Sequence, residues 1–332
     1  MSQRPNTMVN FTPNRSNTSQ ASKSWDLYWQ GTGDVDAFTS GGVSHPAIRA
    51  FWDDFFHTSN LNYEKPEIID IASGNGAVVE SALAVFDKGL AITSLDVSAS
   101  AIKNIHNRFP MVEGIVSDAC SIPRESGSYD IVTSQFGVEY AGHDAVLEAA
   151  RLVADGGRLA LLLHSESGSI HRECLQSLEA IERIQAAQFI PFAIEMFDAG
   201  FRAVRGEERS AYETAANNLA PAINELEEIM KQYGQHVAGD TISSLYNDVG
   251  QIHNRIQHYN PEDVLNWLKR MNIELGAYAK RMSSMSQAAI DSSSFNQTKV
   301  KLTDRGFSIE LAEELVVPEH ELPMAWALIA RR

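Results

Sequence analysis

The feature that most constrains this chain is a regular alternation of short apolar runs and amphipathic segments between residues 67 and 165. The apolar runs have strand length and cover residues 67–71, 90–95, 112–116, 129–134 and 157–163. The intervening segments with helical spacing cover residues 76–86, 98–108 and 143–153. Strands joined by crossover helices lie parallel. The pattern therefore predicts an α/β fold with a doubly wound, mostly parallel sheet and helices on both faces.

The first apolar run ends in a glycine-containing turn. Residues 68–76 read IIDIASGNG, so Asp70 lies near the end of the run and Gly74 and Gly76 lie in the turn. Glycine lets the backbone approach a ligand more closely than a residue with a Cβ atom does. The second run is followed by Asp96, twenty positions after Gly76, where a carboxylate can accept both hydroxyls of a ribose. Together these two signals predict a nucleotide-binding edge of the sheet.

Two observations refine the choice of nucleotide. A dinucleotide-binding turn would carry a third glycine at position 79, which is Val79 here, so binding of NAD is disfavoured. A further acidic residue, Asp118, comes after the third run, whereas the fourth run opens with Tyr129 and Asp130. Successive strand ends therefore place several carboxylates at one edge of the predicted sheet.

In these residues the chain resembles the class I S-adenosylmethionine-dependent methyltransferases, over about residues 66–165 and the last 30 residues. The resemblance implies a seven-stranded Rossmann-like sheet that closes with an antiparallel hairpin, formed here by 307–317 and 324–330. It implies S-adenosyl-L-methionine as cofactor. It also implies a set of cofactor-binding residues, namely Asp70, Ala72, Ser73, Gly74, Gly76, Asp96, Val97, Asp118, Ala119, Gln135 and Phe136.

The resemblance assigns a part of the cofactor to each group of these residues. The turn at 72–76 would surround the methionine portion, with Asp70 supporting the turn or meeting the ammonium group through water. Asp96 would hold the ribose, and Asp118 with the following backbone would meet the adenine amino group. Phe136, with the preceding glutamine, would line the floor beside the sulfonium. The chain departs from the family at position 72, where glycine is often found.

Methyl transfer requires alignment of the acceptor with the methyl group and exclusion of water, and it needs a base only if the acceptor carries a proton. His164, at the end of the fifth run, is the first candidate for a base or acceptor-positioning group, and His143 is the second. A structural histidine is the alternative for each. Glu139 and Tyr140 could orient an acceptor, but the sequence favours a solvated loop there. No residue spacing indicates a metal site.

The rest of the chain divides into four further segments. We expect a disordered tail over 1–24, an aromatic helical segment over 25–60, a helical insertion over 169–290 and C-terminal strands over 291–332; the cofactor-binding core would occupy 61–168. The insertion follows the fifth strand, so it would form either a cap over the acceptor or a scaffold for a homodimer. The aromatic residues Trp25, Tyr28 and Trp29 would close the acceptor pocket or merely seal an edge of the sheet.

Composition limits the partners. The formal net charge of −16 disfavours a nucleic-acid substrate, as does the sequence SQFG at 134–137, which lacks the Asn/Asp-Pro-Pro-aromatic motif of many enzymes that methylate bases. The two cysteines, Cys120 and Cys174, suggest a reducing compartment. No signal peptide or membrane-spanning run is recognisable, so we expect a cytoplasmic protein.

The sequence thus favours an S-adenosylmethionine-dependent methyltransferase that acts on oxygen or nitrogen of a small molecule. One alternative is a non-catalytic protein that binds the cofactor and uses the helical region as a scaffold for partners. Another is an enzyme of the same fold that transfers a different group from the cofactor.

Overall fold

A computed structural model describes residues 25, 26, 28, 29, 45–60, 63, 65–86, 90–317 and 321–332. The tail predicted over 1–24 lies outside the described residues. Seven strands form one sheet: β1 (Glu67–Ile71), β2 (Ala91–Asp96), β3 (Glu113–Val116), β4 (Tyr129–Gln135), β5 (Val153–His164), β6 (Ser308–Leu315) and β7 (Ala325–Arg331). Their order is β3-β2-β1-β4-β5-β7-β6. The first five strands pair in parallel, and β7 lies antiparallel between β5 and β6. This confirms the predicted doubly wound, mostly parallel seven-stranded sheet.

Helices cover both faces of the sheet. They are α1 (Pro46–Asn60), α2 (Ala77–Val85), α3 (Ala99–Arg108), α4 (His143–Leu152) and α10 (Ser292–Asp304). Alternate residues of each strand enter opposite cores, because side chains of a strand point to opposite faces. Ile68 packs in the core that contains Trp52 and Phe56 of α1, whereas Ile69 packs in the core that contains Phe295 of α10.

Between β5 and β6 the chain forms a helical insertion with its own apolar core. Its helices are α5 (Ser169–Ala186), α6 (Phe189–Val204), α7 (Ser210–Tyr233), α8 (Thr241–Asn254) and α9 (Pro261–Ala288). The insertion leaves and rejoins the sheet at one point, where Ser165 forms a parallel bridge with Ile290 and the Ile290 N–H donates to the His164 carbonyl at 2.8 Å. The start of α5 and the end of α9 are therefore held beside the end of β5.

The C-terminal segment differs from the prediction, because it begins with helix α10 and not with a strand. The Asp291 side chain caps this helix by accepting from the Ser294 N–H at 2.6 Å. Phe295, Thr298 and Leu302 are its buried residues, spaced three and four apart on one face. So short an apolar stripe is a weak sequence signal.

Among all the helices of the described residues, none combines the length and apolarity needed to cross a lipid bilayer.

Candidate cofactor and acceptor site

The turn between β1 and α2 has the backbone conformation that its glycines permit. Gly74 and Gly76 have φ values of 53° and 82°, and Ala72 also lies in the left-handed region at 55°. Glycine is the least strained residue at such a φ, which explains the family preference at position 72. The Ser73 N–H donates to the Leu95 carbonyl at 3.1 Å, and the Ser73 hydroxyl donates to the Asp70 carbonyl at 2.7 Å. The turn is thus fixed against the ends of β1 and β2.

Asp96 ends β2 and holds this turn directly. Its Oδ2 accepts from the Gly74 N–H at 2.9 Å, and its Oδ1 accepts from the Ser98 N–H at 2.9 Å. Burial raises the pKa of the carboxyl group, and the charge of Asp26 adds to the rise. Each carboxylate oxygen has two acceptor sites, so both retain capacity for a further donor. The adjacent Val97 is exposed.

Asp70 lies beneath the same turn and is almost fully buried. Its Oδ1 accepts from the Thr133 hydroxyl at 2.9 Å, whereas its Oδ2 is buried and has no hydrogen-bond partner in the described part of the chain. Burial raises the pKa of Asp70 to about 7, and the nearby Asp96 charge adds to the rise. A buried carboxylate oxygen of this kind suits a cationic donor, which would offset the cost of burial.

The remaining predicted cofactor residues occupy different surroundings. Asp118 is exposed, and its Oδ1 accepts from the Cys120 N–H at 2.9 Å; the intervening Ala119 is half-buried. Gln135 ends β4, and its Oε1 accepts from the indole N–H of Trp52 in α1 at 2.5 Å. The side chain of Gln135 is therefore engaged with α1, a contact that the sequence does not reveal.

Phe136 follows β4 with a φ of 51°, and its N–H donates to the Leu162 carbonyl at 2.8 Å. The Phe136 ring lies 4.6 Å from the imidazole of His164, measured between centroids. The residue that was expected to line the floor of the site is thus in contact with the first candidate base.

His164 ends β5 and is buried against Glu139. The Glu139 Oε1 accepts from the main-chain N–H of His164 at 3.0 Å and lies 2.6 Å from its ring Nδ1. The prediction of a solvated loop at Glu139 and Tyr140 is wrong, because the Glu139 side chain is only 1% exposed and the Tyr140 hydroxyl is buried. Residues 138–141 form a 3₁₀ turn, and the Val138 N–H donates to the Ser134 hydroxyl at 3.2 Å. This turn directs the carboxylate of Glu139 back to the sheet.

His143, the second candidate, lies at the start of α4 in different contacts. Its Nδ1 is 3.4 Å from the Thr298 hydroxyl of α10. Burial lowers the pKa of His143, and the charges of Lys301 and Arg305 contribute to the fall. Its neighbours therefore belong to the face of the sheet covered by α10, whereas His164 contacts Glu139 and Phe136.

Three N-terminal aromatic residues, Trp25, Tyr28 and Trp29, form what we call the aromatic cover. A Cβ atom placed on Gly74 would lie 2.7 Å from the Trp29 ring, so this ring rests on the glycine turn. The Trp25 ring meets the Tyr140 ring edge to face at 5.8 Å. Asn104 donates to the Trp29 carbonyl at 2.8 Å. The cover therefore spans from the glycine turn to the surroundings of His164.

Asp26, between these aromatic residues, ties the cover to α3. Its Oδ1 accepts from the Ser98 hydroxyl at 2.7 Å and from the Ser100 N–H at 3.0 Å. Free N–H groups at the start of a helix attract a carboxylate. The aromatic cover is thus attached to the segment that follows Asp96.

The C-terminal part of α9 borders the same region and contributes Arg281, a residue that the sequence analysis did not single out. The Arg281 guanidinium lies 4.7 Å from the Tyr28 ring centroid and 5.2 Å from that of Tyr278. A signal was available in the spacing: Arg281 comes three residues after Tyr278 and four before Met285, which places it on the apolar face of the helix.

Comparison with known proteins gives a match to one family model. Residues 69–161 match the methyltransferase domain model, which covers the glycine turn, Asp96 and Glu139. Curated relatives match part of the chain, among them the following two. A ubiquinone/menaquinone biosynthesis C-methyltransferase from Campylobacter jejuni is 31% identical over 149 residues, which cover 40% of this chain and 63% of the relative. A demethylmenaquinone methyltransferase from Renibacterium salmoninarum is 31% identical over 96 residues, which cover 28% of this chain and 39% of the relative.

Among solved structures, a geranyl diphosphate C-methyltransferase from Streptomyces coelicolor A3(2) aligns with a TM-score of 0.33 and 17% identity, over 44% of this chain and 65% of that one. The matched part of the chain spans less than two thirds of the length of each of the two curated relatives named above. The sheet order, the glycine turn held by Asp96 and the match to the family model identify residues 69–161 as a class I S-adenosylmethionine-dependent methyltransferase domain.

Proposed function

We propose that this protein transfers a methyl group from S-adenosyl-L-methionine to a small-molecule acceptor, at oxygen or nitrogen. The observation that carries the proposal is the hydrogen bond between the Asp96 carboxylate and the Gly74 N–H. This bond joins the ends of β1 and β2 at the carboxyl edge of a parallel sheet, where α/β folds bind their ligands.

The residues around this bond fit the cofactor. Asp96 retains acceptor sites for ribose hydroxyls. The Oδ2 of Asp70, which has no partner among the described residues, suits the ammonium group of the methionine portion. The backbone of the glycine turn would hold the rest of that portion, and Asp118 with the Ala119 backbone would meet the adenine. When bound, S-adenosylmethionine supplies an electrophilic methyl group on a positively charged sulfur.

His164 and Glu139 would handle a proton of the acceptor. A carboxylate oxygen can only accept a hydrogen bond, so Glu139 holds His164 in the tautomer with hydrogen on Nδ1. The lone pair then lies on Nε2, the nitrogen that can take a proton from an acceptor hydroxyl or ammonium group. His164 would take the proton that the acceptor oxygen or nitrogen loses when that atom displaces the sulfur from the methyl carbon. Glu139 is a positioning residue in this scheme.

The names of the curated relatives favour a second candidate, which is transfer to carbon. The relative from Campylobacter jejuni is named as a C-methyltransferase. The same proton transfer to His164 would serve this reaction if the acceptor carbon lies beside an ionisable hydroxyl, because loss of that proton makes the neighbouring carbon more nucleophilic. Product analysis by mass spectrometry and NMR distinguishes methylation at carbon from methylation at oxygen or nitrogen.

Isothermal titration calorimetry with S-adenosylhomocysteine tests the proposal. We expect one binding site per chain and no heat from NAD under the same conditions. A folded protein that releases no heat with S-adenosylhomocysteine would contradict the proposed function. Binding without turnover of any acceptor across a broad library of hydroxyl and amine compounds would favour the non-catalytic scaffold.

A further inference from the structure

Arg281 is a buried cation that forms no ion pair with any carboxylate among the described residues. Its exposure is 8%, and its interactions in the described part of the chain are the two ring contacts with Tyr28 and Tyr278. Neither of these contacts supplies a formal negative charge. Burial lowers the pKa of the guanidinium, as expected for a charge removed from water. Burying a charged group without a charged partner is costly unless a ligand or another group compensates it.

The surroundings of Arg281 are apolar and contain a second polar group without a partner. The next residue, Met282, clusters with Met285, Cys174, Phe136, Tyr140 and Trp25. The Tyr140 hydroxyl is buried in this cluster and has no hydrogen-bond partner among the described residues. Burial keeps its pKa well above the ordinary value, so this hydroxyl is a neutral donor at physiological pH. An unpartnered hydroxyl in this cluster and a guanidinium against its member Tyr278 indicate a ligand with acceptor atoms.

Ring contacts connect this cluster to the proposed reaction centre. The Tyr140 ring lies 5.6 Å from the His164 ring, and the Trp25 ring lies 5.8 Å from the Tyr140 ring. The Tyr28 ring, which Arg281 contacts, lies 5.9 Å from Trp25. Arg281 and His164 therefore lie at the two ends of one chain of ring contacts between the sheet and α9.

We propose that Arg281 binds a carboxylate on the acceptor, so that the substrate of the proposed methyl transfer is a small aromatic or apolar acid. A carboxylate carries one negative charge, which one guanidinium can neutralise, and its two oxygens match the paired N–H donors of arginine. The aromatic cover and the methionines of α9 would pack against the body of such a molecule. This inference rests on the proposed function for the identity of the reaction, but not for the binding of an acid.

The test uses 2-naphthoate as a probe and its neutral isostere 2-naphthamide as the matched ligand. Affinities are measured by calorimetry on the full chain, with and without S-adenosylhomocysteine. We expect naphthoate to bind at least tenfold more tightly than naphthamide, and Arg281→Met to reduce this preference to less than twofold. Lys280→Met, which removes an exposed charge from the neighbouring position of α9, should leave the preference unchanged.

Thermal unfolding separates a binding role from a structural one. A buried guanidinium lowers the stability of the protein when no ligand compensates its charge. Without ligand, Arg281→Met should therefore have a melting temperature equal to or above that of the wild type. If Arg281→Met does not fold, Arg281→Lys replaces it in the test. Arg281→Lys should retain a weakened preference for naphthoate over naphthamide, because lysine keeps the charge but loses the paired donors.

Three results would overturn the proposal: no binding of naphthoate by the wild type, equal affinity for acid and amide, or an unchanged preference in Arg281→Met. Phenyl phosphate is the third probe. If it binds more tightly than naphthoate, the proposal that Arg281 binds a carboxylate is wrong and the ligand group is a phosphate. If S-adenosylhomocysteine does not bind but naphthoate does so through Arg281, the proposed function fails and the acid site remains.

Discussion

Glu139 holds His164 at two points: one carboxylate oxygen accepts from the main-chain N–H of the histidine and contacts its ring Nδ1. The first contact fixes the end of β5, and the second fixes the orientation of the imidazole. Because both side chains are 1% exposed, water does not compete for these bonds. The pair is therefore an oriented imidazole–carboxylate pair at the edge of the sheet where the glycine turn also lies.

Replacing Glu139 with glutamine should remove the constraint that keeps hydrogen on Nδ1 of His164. The amide can donate as well as accept, so it no longer requires hydrogen on Nδ1. Nitrogen–proton correlation NMR of histidine-labelled protein is expected to show the Nδ1–H form of His164 in the wild type and a mixture in Glu139→Gln. A wild-type spectrum with hydrogen mainly on Nε2 at neutral pH would contradict the assignment.

Replacing His164 with glutamine should slow methyl transfer to a protonated acceptor by about a hundredfold to ten-thousandfold, which is the usual contribution of a general base. The measurement is the initial rate of S-adenosylhomocysteine formation at saturating substrate. Cofactor affinity should change little, which shows that the fold is intact. His106→Gln is the control, since this histidine is exposed on α3. Equal rates in wild type and His164→Gln would remove the histidine from the mechanism.

Cofactor affinity should depend on pH through Asp70. Its pKa of about 7 in the free protein means that the carboxylate is largely protonated at pH 6 and largely ionised at pH 8. Because the ionised form would bind the ammonium group, affinity for S-adenosylhomocysteine should rise about tenfold from pH 6 to pH 8. Asp70→Asn should bind weakly at both values. A wild-type affinity that is independent of pH would contradict a contact between Asp70 and the ammonium group.

The raised pKa of Asp70 also affects the stability of the ligand-free protein. As pH rises, this stability should fall, whereas the affinity for the cofactor should rise. Between about pH 4, where an unfolded aspartate titrates, and pH 7 the folded state binds more protons, so stability falls as pH rises through this window. At pH 8, Asp70→Asn should therefore be more stable than the wild type, by about 4 kcal/mol at most. Urea unfolding at pH 4.5 and pH 8 measures the change, and a larger stabilisation at the lower pH would contradict it.

Asp96 and Asp130 offer a matched comparison, because both accept a main-chain N–H at 2.9 Å but at opposite ends of the sheet. Asp96 accepts from Gly74 at the carboxyl edge, and Asp130 accepts from Glu67 at the start of β1. Asp96→Asn should weaken S-adenosylhomocysteine binding by roughly tenfold to a hundredfold, since it loses charge-assisted bonds. Asp130→Asn should leave binding unchanged. The affinity of both variants for S-adenosylhomocysteine is measured by calorimetric titration. Equal losses of affinity would contradict a specific role for Asp96.

The contact of Trp29 with the glycine turn can be tested by a double-mutant cycle. Gly74→Ala places a methyl group 2.7 Å from the Trp29 ring at a φ of 53°, so we expect a loss of about 1–3 kcal/mol in the free energy of unfolding. Trp29→Ala removes the clash but not the backbone strain. The double variant should therefore lose less stability than the sum of the two single variants. Additive losses in urea unfolding would show that the ring does not rest on the turn.

Several parts of this structure follow from local sequence patterns. The alternation of apolar runs predicts the parallel sheet, because strand and helix periodicities are properties of consecutive residues. The sequence also predicts that Gly74, Gly76 and Asp96 lie at one edge of the sheet, because each follows an apolar run. Helix α10 was missed, since its buried face consists of Phe295, Thr298 and Leu302 only. Its formation depends on packing against the sheet more than on its own sequence.

By itself, the sequence determined the class of the sheet, the edge at which the glycine turn and Asp96 lie and the helical character of the insertion. Only the tertiary structure decided that Glu139 is buried against His164, that Trp29 covers Gly74 and that Arg281 meets Tyr28. These pairs are separated by 25, 45 and 253 positions in the chain, so no periodicity of neighbouring residues records them. The physical reason is that burial and charge pairing depend on which elements the fold brings together, whereas hydrophobic periodicity specifies each element alone.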